Sequence, residues 1–262
     1  MGTLVCFHAH PDDEAIATGG SMARAAEEGH RVVLVVATNG DHGEVPDDLA
    51  PGETLVDRRR AETARSAEIL GIHRVAWLDY ADSGMTGWDQ NDHEHSFFQA
   101  PLDEAAERLA AILREESCDV LTTYDWHGGY GHPDHIKVHH VGHRAAELAG
   151  TPTVFESTMN RDALARMMAQ APDSIPEEDF DPNGPSDDGN PFGTPEAELT
   201  HAVDVTPWIE RKRASIAAHN SQVSDSSFFL QMPPEVFAMA FGTEWYMKKG
   251  ADPGVRVGWL FE

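Results

Sequence analysis

Residues 3–14 read Thr-Leu-Val-Cys-Phe-His-Ala-His-Pro-Asp-Asp-Glu, and the fold is decided here. Thr3–His8 is a short β-rich run, followed by an Ala-rich helical pattern from about Asp12 to Glu28. The next apolar run, Arg31–Thr38 (RVVLVVAT), is almost unbroken, as expected of a strand covered on both faces. Working outward, a helix is predicted over Leu55–Leu70, stopped by Gly71 as a natural C-cap. A strand at Val75–Tyr80, a helix around Leu102–Glu116 and a strand at Val120–Tyr124 come next. A helix from Pro133 to Ala149 and a strand at Thr153–Ser157 complete the series. Strands alternating with helices of this length predict an α/β, Rossmann-like fold: a mainly parallel sheet with helices on both faces.

The pattern weakens after Ser157. Residues 171–198 are rich in Pro, Gly, Asp and Glu, and read as an acidic loop insertion within a single domain spanning 1–262. A helix is expected over Pro207–His219, and Phe228, Phe229, Phe241, Trp245 and Tyr246 are expected to be packing residues. Among 262 residues, 45 Asp and Glu face 19 Lys and Arg, for a net charge of −26. That balance argues against a nucleic-acid or anionic-membrane partner, both of which need a basic face. No apolar run reaches the ~18 residues of a membrane span. Cys6 and Cys118 both lie in apolar stretches, which excludes a disulfide scaffold and favours a reducing, cytoplasmic setting. Met1–Val5 lacks the basic n-region of a signal peptide, in keeping with that location. A homo-oligomer is compatible with all of this.

Two motifs carry chemistry. The first, His8-Ala9-His10-Pro11-Asp12-Asp13-Glu14, lies at the carboxyl end of the first strand, where open α/β sheets bind ligands. Pro11 suits the first helical position, which puts His10 at the N-cap and the acids in the first turn. The helix dipole explains one or two such carboxylates. It does not explain three beside a histidine, since like charges repel unless a cation compensates. The second motif, Tyr130-Gly131-His132-Pro133-Asp134-His135, follows the fourth strand and repeats the same order of strand, loop, His-Pro-Asp and helix. Two such motifs on one sheet edge can converge on a metal. Imidazoles with a carboxylate and no thiolate suit a catalytic zinc, which takes three protein ligands and keeps one position open. Other polar clusters read more simply. His139, His140 and His143 lack a carboxylate and read as a helix surface, His93-Glu94-His95 as a polar loop, and Cys6 as a small buried hydrophobe.

The paired motifs resemble those of the LmbE/PIG-L family of zinc-dependent N-deacetylases. The run Gly128-Gly129-Tyr130-Gly131-His132-Pro133-Asp134-His135 is most similar to the mycothiol branch, which holds an acetylglucosaminyl-inositol deacetylase and a conjugate amidase. Arg59-Arg60-Ala61-Glu62, Asp82-Ser83-Gly84-Met85 and Lys212-Arg213-Ala214 through His219-Asn220-Ser221-Gln222 are also similar. The resemblance implies one zinc ion held by His10, Asp13 and His135, with Asp12 as general base for an attacking water. It further implies His132 as the oxyanion stabiliser, with Tyr130 as a mobile donor beside it; on physical grounds His132 is expected to be protonated near neutral pH, its imidazole oriented by Asp134. Arg59, Asp82 and Glu44 correspond to substrate-contacting positions. The expected activity is removal of an N-acetyl group from a small amino sugar. One alternative is an amidase that cuts a bulkier thiol-conjugate amide. From another class comes a catalytically inactive, metal-containing binding protein. A nucleotide-binding module is disfavoured, because carboxylates stand where a pyrophosphate would sit.

Overall fold

The computed structural model describes residues 1–170, 181, 183–224 and 227–262. Much of the predicted acidic loop therefore lies outside the described residues, as do the side chains of Phe228 and Phe229. The first half alternates β1 (Thr3–His8), α1 (Asp13–Ala17), α2 (Gly19–Glu27), β2 (Arg31–Thr38), α3 (Leu55–Leu70) and β3 (Arg74–Tyr80). It continues with α4 (Leu102–Glu115), β4 (Val120–Tyr124), α5 (Pro133–Ala149), β5 (Thr153–Thr158) and α6 (Arg161–Gln170). The remainder holds β6 (His201–Asp204), α7 (Ile209–Ala218), α8 (Phe228–Gln231), α9 (Pro234–Phe241), β7 (Thr243–Lys248) and β8 (Arg256–Val257).

One sheet runs in the order β3-β2-β1-β4-β5-β7-β6-β8. From β3 to β5 every pairing is parallel, and the irregular C-terminal part adds β7 antiparallel to β5. In β1, Val5 and Phe7 join the core that also contains Leu109 and Val138, whereas Leu4 and Cys6 join the core around Met22 and Leu70. Both faces are covered, which is why the strands read as continuous apolar runs rather than alternating ones. Gly71 ends α3 in the left-handed conformation at φ 78°, as its residue type implied.

The chain leaves β1 toward β2 on one side, while β4 lies on the other. That makes the β1/β4 gap the switch point of the sheet, where a crevice opens beyond the strand ends. Both His-Pro-Asp motifs leave the sheet there.

Two local expectations need correction. The helix predicted from Asp12 to Glu28 is broken at Thr18, whose hydroxyl pairs with His8 Nε2 at 2.8 Å. A new helix starts at Gly19, and its free N–H groups at Gly20 and Ser21 donate to the Glu244 carboxylate at 2.8 and 2.9 Å. A Cβ on Gly20 would lie 2.4 Å from Val205 Cβ, so the close approach of this helix needs glycine. Nor does Pro11 open the helix: α1 begins at Asp13, and Asp12 sits at φ 135°. The second motif does follow the expected grammar, with His132 as N-cap and Pro133 at the first helical position.

Candidate active site

The first motif turns on its own side chains. His10 N–H donates to Asp13 Oδ2 at 2.8 Å, and Asp12 N–H donates to Glu14 Oε2 at 3.0 Å. These bonds fold the acids back over the turn and send the three carboxylates in different directions. Asp13 faces the histidines, with Oδ2 3.3 Å from both His10 Nδ1 and His135 Nε2. Asp12 meets Arg59 Nη2 at 3.2 Å. Glu14 is fully buried, and its Oε1 lies 2.6 Å from Ser66 Oγ and 2.7 Å from His219 Nε2. The run of acids that a lone helix terminus could not explain is thus divided among separate positive or donating partners.

The second motif places its histidines from the helix end. His135 Nδ1 donates to the Gly128 carbonyl at 3.1 Å, so in the neutral ring Nε2 carries the lone pair; that nitrogen is buried without a hydrogen-bond partner. An orphaned imidazole nitrogen facing a carboxylate and a second imidazole offers donor types that could hold a metal ion. His10 completes it in the manner of oriented metal ligands: its Nε2 lies 3.2 Å from Asp134 Oδ2, and its Nδ1 points at Asp13. Burial works against charge on His10, but Asp82, Asp13 and Asp134 outweigh it and hold its pKa well above the usual value. Ligand atoms of His10, His132 and His135 also come within 4.8 Å of one another, so proximity alone offers a second triad.

Hydrogen bonding separates the two. Asp134 N–H donates to His132 Nδ1 at 3.1 Å, so the Nδ1 lone pair is occupied and the neutral ring carries its proton on Nε2. Burial, with the His10 and His135 rings beside it, pushes the His132 pKa well down. Two expectations change. His132 enters as a neutral Nε2–H donor rather than an imidazolium. The Asp134 carboxylate orients His10 and accepts from Ser83 N–H and Oγ–H, with only its backbone serving His132.

The other expected site residues take varied positions. Asp12 is raised to a pKa of about 6, mainly by burial, against the opposing pull of Arg59. Its φ of 135° is a left-handed-side backbone angle that costs ~1–3 kcal/mol and is typical of functional turns. Arg59 is buried and bonds Pro11 O at 2.7 Å and Gly40 O at 2.9 Å, so it holds the Asp12 turn from beneath. Asp82 is also buried, 3.6 Å from His10 Nε2, and it accepts from Gly84 N–H at 2.8 Å. Glu44 is exposed, joined to Gln222 through its backbone. The Tyr130 ring stands 4.9 Å from that of His135, and its carbonyl accepts from Asp187 N–H at 3.0 Å. Gly193 N–H likewise bonds Gly129 O at 2.7 Å, so the described part of the acidic loop packs on the motif instead of projecting freely.

Sequence reading missed two things. Glu14, Ser66, Ser215 and His219 form one buried network beneath Asp12. Its signal lay in the run ending His219-Asn220-Ser221-Gln222, whose members reach Glu14, Glu62 and Glu44. Second, His143 does have a carboxylate: Glu156 of β5 lies 2.7 Å from its Nε2, and His139 Nδ1 bonds Tyr124 O at 3.0 Å. One nitrogen of each ring is bonded in this way. His93, Glu94 and His95 are exposed, and Cys6 is buried as expected.

Gly128 carries a testable demand. Its φ is +66°, and a Cβ there would meet His135 Cβ at 2.3 Å. Gly128→Ala is expected to cost at least ~1–3 kcal/mol of stability and to displace His135. Thermal melts and metal content measured on the same sample check it; a variant that melts like wild type with full metal content would contradict the cradle.

Residues 5–146 match the family model described as PIG-L: GlcNAc-PI de-N-acetylase. The chain belongs to the PIG-L family. Within it, the chain is 38% identical to a 1D-myo-inositol 2-acetamido-2-deoxy-alpha-D-glucopyranoside deacetylase of Catenulispora acidiphila, covering 97% of this chain and 86% of that protein. It is 37% identical to the deacetylase of the same name from Streptomyces avermitilis, over 99% and 96% of the two chains. The N,N'-diacetylchitobiose deacetylase of Pyrococcus horikoshii shares the PIG-L fold seen here, with a TM-score of 0.60 at 24% identity over 94% and 83% of the chains.

Proposed function

We propose that this chain is a zinc-dependent N-deacetylase that removes the acetyl group from an amino sugar of the glucosaminyl-inositol kind. The observation that carries the reading is the buried, partnerless Nε2 of His135 facing Asp13, with His10 on the other side of the same carboxylate. The names of the relatives support the reaction class and the sugar. His10, Asp13 and His135 would hold the ion. When bound, zinc supplies Lewis acidity at the amide carbonyl and acidifies a water molecule.

The chain's own groups do the rest. Asp12, with a pKa raised toward neutrality, accepts the proton of the attacking water at its carboxylate. Arg59 and the Glu14–Asp12 backbone bond keep that carboxylate in place at the mouth of the turn. His132 Nε2–H donates to the oxygen that becomes negative as the carbonyl turns tetrahedral. No described helix is long and apolar enough to cross a membrane, in line with an enzyme acting on a small dissolved substrate, and we place it in the cytoplasm.

Removal of metal tests the proposal. Dialysis against a chelator is expected to abolish amine release from an N-acetylglucosaminyl substrate, and one equivalent of zinc is expected to restore it. Full activity in metal-free protein would refute the reading.

A further inference from the structure

Beside the candidate ligands lies a cavity of about 590 Å³, in the size range that takes whole small ligands. Asp13, Tyr130 and His135 form its edge on the metal side. Its walls are Ile16 of α1, Leu164 and Met167 of α6, Met232, Phe241 of α9 and Trp245 of β7. The methyl of an acetyl group would leave nearly all of that volume unused.

Four of the charged and polar side chains at the cavity, Lys212, Glu244, Tyr124 and Thr158, are already paired. Lys212 Nζ lies 2.5 Å from Glu244 Oε1, and Glu244 also accepts from the start of α2. Tyr124 Oη pairs with His8 Nδ1 at 2.8 Å, and Thr158 Oγ1 donates to Asp125 Oδ2 at 2.5 Å. A sugar hydroxyl or a second amide placed here would lose its water without gaining these partners.

The sheet order orients the substrate. Arg59 of α3 and Asp82 after β3 lie on the β2–β3 side of the switch point, whereas the cavity is walled from the β5–β7 side. A scissile amide held at the candidate ligands between these two sides would extend its amine half toward one and its acyl half toward the other. We propose that this cavity is an acyl-chain subsite, so that the enzyme hydrolyses N-acyl amino sugars with an unbranched apolar acyl chain in preference to N-acetyl ones. The inference rests on the amide-hydrolase reading above. The chemistry is unchanged: water oxygen bonds to the acyl carbon, the C–N bond breaks, and the products are a fatty carboxylate and the protonated amine.

The test compares N-acetyl-, N-hexanoyl- and N-octanoyl-glucosamine on the zinc-loaded protein by amine release. Each desolvated methylene contributes about fourfold, so burying half of those added in the octanoyl chain gives about 60-fold in kcat/KM over acetyl. Ala240 of α9 also lines the cavity, and Ala240→Phe is expected to reduce octanoyl kcat/KM at least ~10-fold more than acetyl kcat/KM. In a readout without turnover, calorimetry on metal-free protein should show octanoate binding and acetate not. A flat or falling series with acetyl still cleaved overturns the subsite and leaves the deacetylase reading standing. Faster cleavage of an S-benzyl-N-acetylcysteinyl amide than of octanoyl also overturns it, in favour of a conjugate amidase. Octanoate binding without hydrolysis of any amide would uphold the cavity's ligand and refute the reaction.

Discussion

Asp12→Asn is expected to keep its full complement of metal and to lose at least ~10²-fold in kcat, the usual scale for a general base. Asn matches Asp in shape, so Arg59 Nη2 retains an acceptor and the turn at φ 135° keeps its anchors at Pro11 O and Gly40 O. What disappears is the proton acceptor. The wild-type pH profile should carry the same signature. Burial raises Asp12 to about 6, so the base is ionised above that value and kcat/KM falls as pH drops through it. The acid limb should disappear from the residual activity of Asp12→Asn. A variant that is metal-free, while Asp13→Ala keeps its zinc, would reverse the two aspartates. Steady-state kinetics across pH, with metal analysis of each preparation, decide the matter.

His132→Ala is expected to retain near-stoichiometric zinc and similar KM while kcat falls roughly 10²–10³-fold, as for loss of one oxyanion donor. The position invites the opposite reading, because His132 stands 4.7 Å from the His10 ring and 5.2 Å from the His135 ring, centre to centre. Its Nδ1 accepts the Asp134 N–H as the N-cap of α5, so Nε2 bears the proton and has no lone pair for a metal. His132→Gln, which can still donate from its amide, should recover part of the lost rate. Zinc lost in parallel with activity would make His132 a ligand, and unchanged turnover would remove it from the reaction.

Much of the architecture was legible in order along the chain. Continuous apolar runs such as Arg31–Thr38 can be satisfied only by cover on both faces, and β2 has that cover. Gly71 ended a helix because a left-handed residue without a Cβ is the cheapest way to do so. Two copies of one local grammar could be read as converging at one place, since parallel strands deliver their loops to the same edge, while the choice of His10, Asp13 and His135 as ligands was what the family resemblance implied.

What the sequence could not determine depends on contacts between residues far apart in the chain. Helix α1 stops at Thr18 because His8 takes that hydroxyl and Glu244, more than two hundred residues later, caps the next helix. Asp134 could be guessed to serve its neighbour His132, yet its carboxylate reaches His10 across 124 positions and Ser83 across 51. Arg59, a helix residue with no local mark of burial, supports the Asp12 turn only because α3 packs beneath it. The apolar cavity is assembled from α1, α6, α9 and β7, none of which announces a shared wall. Local periodicity follows from the geometry of one strand or helix and is written into consecutive residues. The proton inventory of a buried site and the shape of its pocket follow from which distant groups must satisfy one another out of water, and that is decided only when the chain has closed on itself.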